Sequence, residues 1–195
     1  MKRNVIELPD LKSSFLNVEK DTELILKKLF FDNKPYNREL IRLLVINTKD
    51  CLTDLDNEEY KEIVRKTSLG KLIEKGYIKL EPKIRMPEHE EVKGYIIISY
   101  DNFTTNAKNP EFRDCTVNFD IICHTDYWRM DNYQIRPLKI AGYIDGILNN
   151  TKLTGIGTFN FIGCNELVLD EVLSGYTLSY RAVHGSDDRL PDVEE

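Results

Sequence analysis

The stretch Thr116-Val117-Asn118-Phe119-Asp120-Ile121-Ile122-Cys123 decides the fold class. Successive side chains of an extended chain point to opposite faces, so Val117, Phe119, Ile121 and Cys123 share one face, and Thr116, Asn118 and Asp120 the other. That pattern predicts a strand with one apolar and one polar side. Downstream the period changes. Leu138, Ile140, Ala141, Ile144, Ile147 and Leu148 recur at helical spacing, predicting a helix from Ile135 to Leu148. Pro137 falls in its first turn, where a missing N–H matters little, and Asn149-Asn150 ends it. Strands are expected again over Gly157 to Cys164, Leu167 to Asp170 and Tyr176 to Val183. The last of these sets Leu178, Tyr180 and Ala182 against Thr177, Ser179 and Arg181.

Upstream, Tyr77 to Ile84 and Gly94 to Tyr100 read as strands, and the polar segment Asp101 to Asp114 as a long loop between two apolar strands. Before them the chain reads as helical. Leu24, Ile25, Leu29 and Phe31 give one apolar stripe after Asp21, and Pro35 interrupts it. A second helix carries Leu40, Ile41, Leu44 and Val45, with Asn37 as its expected N-cap. A third follows Asp56 through Tyr60, Ile63 and Val64 towards Leu72 and Ile73, and Gly76 stands where a C-terminal stop belongs.

The order of elements implies an α+β fold: a small, mainly antiparallel sheet with helices on one face, plus an N-terminal helical region and extended termini. The expected divisions are an extended arm over 1–17, a helical region over 18–90, the sheet-plus-helix domain over 91–185, and an acidic flexible tail over 186–195. Charge divides near the same place. Residues 1–90 hold 18 basic and 17 acidic side chains, and residues 91–195 hold 9 and 16.

At 195 residues and 41% hydrophobic content the chain can bury a real core. Apolar runs such as Ile96 to Ile98 are too short to span a bilayer. Met1-Lys2-Arg3-Asn4 leads into Glu7, Pro9 and Asp10, which is not a secretory leader. A net charge of −6 argues against gripping nucleic acid through the global field. The cysteines at 51, 115, 123 and 164 form no CxxC pair and read as reduced thiols in the interior.

Catalytic patterns are hard to find. Cys115, Cys123, His124 and Cys164 do not have zinc-ligand spacing, and Cys123 and His124 belong to opposite faces of one strand. His89, His124 and His184 have no flanking nucleophile motif. Gly155-Ile156-Gly157 follows a helix and precedes a strand, the reverse of a phosphate-binding fingerprint. Asp120, Asp126, Asp131 and Asp145 read as solvated carboxylates, with Asp131 placed to cap the following helix. No catalytic, cofactor or metal residue is expected.

The segment Cys123 to Asp131 concentrates aromatic and polar residues between strand and helix, including the only tryptophan. Tyr, Trp and Arg dominate protein interfaces, so Tyr127, Trp128 and Arg129 are the candidate anchors. Asn102, Thr104 and Asn106 of the polar loop are the second set.

Residues 92–185 taken together, from the strand Tyr95 to Tyr100 through the helix IRPLKIAGYIDGILNN to the closing Gly175-Tyr176-Thr177-Leu178-Ser179-Tyr180-Arg181-Ala182-Val183, resemble the tail-terminator or tail-completion proteins of tailed bacteriophages and related neck proteins. The resemblance implies a small sheet packed on helices and subunits joined in a ring between head connector and tail tube. It also implies a noncatalytic virion protein at the head–tail junction, assembled in the host cytoplasm. The expected assembly is a homo-oligomer of about 6 or 12 copies in contact with portal or connector and tail proteins, with DNA passing nearby and no membrane. Two or three helices over residues 1–90 depart from that family, whose members begin with one short helix. The alternative is a noncatalytic protein-binding adaptor or regulator outside the virion.

Overall fold

The computed structural model describes residue 15 and residues 18–81, 92–107, 112–153 and 157–184. The acidic tail over 186–195, His89, Gly155-Ile156 and nearly all of the N-terminal arm lie outside the described residues. Two helices open the fold, α1 (Val18–Phe30) and α2 (Pro35–Val45), joined by a tight turn in which Asn33 takes a φ of 55°. The expectation that Asn37 caps α2 is corrected. The helix starts two residues earlier at Pro35, whose fixed φ suits a first helical position. Asn37 reaches back instead: its Oδ1 accepts from Lys34 N at 3.0 Å, and its Nδ2 donates to the Lys28 and Leu29 carbonyls at 2.9 and 2.6 Å. One buried amide thereby ties the start of α2 to the end of α1.

The third expected helix is two helices, α3 (Glu58–Lys66) and α4 (Leu69–Glu74). Ser68 divides them, its Oγ accepting from Lys71 N as the N-cap of α4. Gly76, at φ 71°, ends α4 while Tyr77 N donates to Leu72 O.

The remaining elements are β1 (Ile78–Lys79), β2 (Gly94–Thr105), β3 (Arg113–His124), α5 (Arg136–Leu148), β4 (Lys152–Leu153), β5 (Gly157–Thr158), β6 (Asn160–Val168) and β7 (Leu173–His184). The main sheet has the order β1-β2-β3-β7-β6 and is antiparallel except at β1, which pairs parallel through Ile78↔Ile96 and Lys79↔Ile97. β4 and β5 form a small separate ribbon. The fold class is therefore α+β, as the element order implies. Two boundaries differ from expectation. The supposed long loop over 101–114 is mostly strand, because β2 continues across a bulge between Asp101 and Thr104 and β3 begins at Arg113. The two short strands expected after α5 are one edge strand, β6.

The alternation in β3 does what it predicts. Val117, Phe119, Ile121 and Cys123 join Ile96 and Ile98 of β2 and Leu178, Tyr180 and Ala182 of β7 on the face covered by helices. Ile25 and Leu29 of α1, Leu40 and Leu44 of α2, and Ile140 and Ile144 of α5 complete the same cluster. The change in charge near residue 90 thus does not divide the core, which draws on both halves of the chain. Each large apolar side chain fully buried there contributes about 1.5–3 kcal/mol. The opposite face is polar along its middle, with Ser179 Oγ donating to Asn118 Oδ1 at 2.7 Å and Thr177 Oγ1 to Asp120 Oδ1 at 2.6 Å, and at the end near Gly94 it carries a second buried apolar cluster of Tyr95, Ile97, Ile122 and Leu173. Among the described residues no helix is long and apolar enough to cross a membrane.

Gly175 faces Ile122 across the β3–β7 ladder, and a Cβ at that position would overlap the Ile121 carbonyl oxygen. The obstacle is backbone at the centre of the sheet, so no rotamer change relieves it. Gly175→Ala is expected to lower stability by more than about 3 kcal/mol. Urea denaturation checks this, with Gly163→Ala as the control, since a Cβ at Gly163 meets nothing within 4 Å.

Candidate functional site

β3 ends at His124, and the chain turns at once. The His124 Nδ1 accepts from Asp126 N at 3.2 Å, capping a single 3-10 turn over Thr125–Tyr127. Thr125 N donates to Val172 O at 2.8 Å, which pins the turn to the start of β7. Trp128 follows, half-buried. Its Nε1 donates to Cys123 O at 3.2 Å and its ring lies 6.2 Å from that of Tyr176.

Tyr127 is no surface residue. It is 2% exposed, and its hydroxyl donates to the carbonyls of Leu43 and Leu44 at 2.8 and 3.0 Å, near the end of α2. The expectation that it contacts a partner is corrected: carbonyls at the distant end of α2 accept from its hydroxyl, and the core surrounds its ring. Over its ring, at 3.9 Å, sits the guanidinium of Arg136, itself 1% exposed. Arg136 Nε donates to Tyr127 O at 2.9 Å, Nη1 to Leu43 O and Ile46 O at 3.0 and 3.2 Å, and Nη2 to Thr48 O at 2.6 Å. Nη1 also approaches the Cys51 sulfur at 3.2 Å. Burial pushes the Cys51 thiol up despite that neighbour, so it is neutral and no thiolate balances the arginine.

Beyond Trp128 the chain makes a small hairpin. Arg129 bridges Ile135, Met130 N donates to Gln134 O at 3.0 Å, and Gln134 N to Asp131 O at 3.3 Å. Asn132 and Tyr133 at its tip have φ of 58° and 61°, the mark of a type I′ turn. Tyr133 is fully exposed. Asp131 does not cap α5; the residue before the helix is Ile135, and Asp131 N donates to Lys49 O at 3.0 Å.

The second candidate set sits elsewhere. Asn102, φ 53°, lies in the bulge of β2, and Thr104 pairs with Asp114; both are exposed. Asn106 is a staple of the hairpin, its Nδ2 donating to Asp114 Oδ1 at 2.6 Å. Arg181 Nη2 reaches the other Asp114 oxygen at 2.6 Å, and these two partners hold the Asp114 carboxyl below its usual range. These residues lie beside the start of β3, whereas Trp128 and Arg129 follow its end. With twelve residues in that strand, the sets are separated by ~35 Å and do not form one site.

Nor do the cysteines converge. Cys115 and Cys123 are buried at opposite ends of β3, with thiols pushed up to about 12 by burial, and Cys164 lies on β6, two strands away. Among the described residues no group of His, Cys, Asp and Glu is placed to hold a metal ion.

The surface that sequence reasoning passed over is β6. Phe161, Ile162 and Val168 along it, and Leu169 just past its end, are exposed, Ile162 at 57% and Val168 at 64%. The signal was present: Glu166 is the only charge between Lys152 and Asp170.

The sequence profile of the YomW family matches residues 37–182, the span from early α2 to the end of β7. No curated protein matches the chain.

Two measurements check the site. Arg136→Ala leaves several buried carbonyls without donors and should lower stability by about 3–5 kcal/mol; Tyr127→Phe keeps the ring under any cation and should lower it by about 1–2 kcal/mol. Equilibrium unfolding in urea reads both. Thiol titration should find Cys164 reactive in the folded chain and the other cysteines only after denaturation.

Proposed function

The chain belongs to the YomW family, which is phage-derived, and from that premise we propose that it is a noncatalytic structural protein of a phage particle. Its place in this reading is the head–tail junction, as a homo-oligomeric ring that joins portal or connector to tail. The observation that carries the reading is the sheet. Its inner face is filled by helices of the same chain, yet it ends on β6, a nine-residue edge strand with exposed apolar side chains and one charge. Isolated soluble proteins blunt such edges with Lys, Pro or a covering helix. A subunit of an assembly has no need to.

Two further features support the same reading. The resemblance of residues 92–185 to tail-completion proteins concerns element order, and the family match takes in α2 from Asn37, α3 and α4 together with that unit. The outer sheet face mixes Asp101, Asp120 and the Asp114–Arg181 ion pair with Lys79 and Lys93 over Tyr95, a balance of charge that does not grip passing DNA as a basic patch would. Trp128 and Arg129 remain the contacts offered at the other end of the sheet, with Tyr133 beside them.

Quantitative mass spectrometry of purified particles, scaled to the portal protein, tests the assignment. About 6 or 12 copies per particle are expected for a closed ring at one vertex. Hundreds of copies would move the chain to the capsid or tail tube, and absence from clean particles would overturn the virion reading.

A further inference from the structure

The four long strands of the sheet, in the order β2-β3-β7-β6, are antiparallel at every step. With an even number of alternating strands, the two outer ones run in opposite directions. A copy placed beside another in the same orientation therefore brings β6 against β2 antiparallel, the stronger mode of pairing. Among the described residues β6 has no strand beyond it, β1 flanks β2 only at Ile96 and Ile97, and no strand lies beside Ile98–Asp101.

The helical layer is also narrower than the sheet. α5 lies over β3 and β7, where Tyr180 OH donates to Asp145 Oδ1 at 2.9 Å. One strand further out, Phe161 and Cys164 face the same side and are exposed. Phe161 packs edge-on against Tyr180 at 5.8 Å, stays 46% exposed, and among the described residues has no helix above it. A neighbour whose own helices overhang its β2 edge would supply that cover.

We infer that β6 is the surface through which one copy of this chain takes up the next, its outer edge pairing antiparallel with the outer edge of β2 in the neighbour; this deepens, and rests on, the ring reading above. Such a contact uses different surfaces on the two copies. It is heterologous, and it closes into a ring when the rotation per copy divides the circle. A two-fold β6–β6 dimer would use one edge and leave the other unused.

The experiment uses the full chain. Asn165, opposite Thr177, and Asp101, opposite Thr116, lie on the outer face of β6 and β2 and are exposed. In a Cys164→Ser background, the double variant Asn165→Cys with Asp101→Cys, treated with a short bismaleimide, should give a ladder of covalent multimers, and Asn165→Cys by itself only monomer. Ile162→Lys, at an exposed position that spares the core, should raise the concentration for half-assembly by about tenfold or more, read by light scattering. Dimers from Asn165→Cys by itself would overturn the inference in favour of two-fold pairing. Oligomers of unchanged mass that give no ladder would overturn it while leaving the ring standing. A wild-type chain that stays monomeric at every concentration would remove both.

Discussion

A buried positive charge that has no carboxylate partner among the described residues organises this fold. Arg136 is desolvated almost completely, which would cost several kcal/mol if it were left unpaired. Carbonyl dipoles do the compensating. Leu43, Ile46 and Thr48 present theirs at and just past the C-terminus of α2, where the helix dipole is already negative, and Tyr127 adds a carbonyl from one side and a ring face from another. The carbonyls in turn belong to a helix end that has no intrahelical donors for them. Each side of the arrangement satisfies what the other would leave buried and unmet. Three separate segments, the end of α2, the turn after β3 and the start of α5, are held at one point as a result.

That point sets the width of the helical layer. With the first turn of α5 fixed beside Trp128 and the end of α2, the helix runs over β3 and β7, and Asp145 near its other end is fastened to Tyr180. β6 then lies beyond the helices. Its exposed apolar side chains are a geometric consequence of where α5 is anchored, not of an excess of hydrophobic residues.

The sequence made some of this legible and hid the rest for identifiable reasons. The alternation over Thr116 to Cys123 and the stripe from Leu138 to Leu148 read correctly because local period and tertiary burial agree there. The division between α3 and α4 was hidden because the apolar spacing runs on through Thr67 and Ser68, and only the cap formed by Ser68 breaks it. β1 is legible as a strand but its parallel pairing is not, since pairing direction leaves no mark on a two-residue pattern. Tyr127 is the least legible residue of the site. A tyrosine in a polar turn looks like an interface anchor, and nothing nearby in sequence reveals that its hydroxyl meets carbonyls more than eighty residues earlier. Arg136 was passed over for the same reason. β6 was visible as a run nearly free of charge, but it was divided at Asn165-Glu166, where the chain in fact stays extended.

The balance of forces between copies follows from two features of unlike range. Each chain carries −6, and like charges repel over about a Debye length, roughly 8 Å at physiological salt. Strand pairing acts only at contact, at about 4.8 Å between backbones, and burial of Phe161 and Ile162 is shorter-ranged still. On the ring reading, the acidity opposes the approach of copies at a distance, and the short-range attraction at the β6 edge closes the sheet once they meet. That reading makes association of the free chain stronger as salt rises, because screening removes the long-range barrier and leaves the contact forces in place.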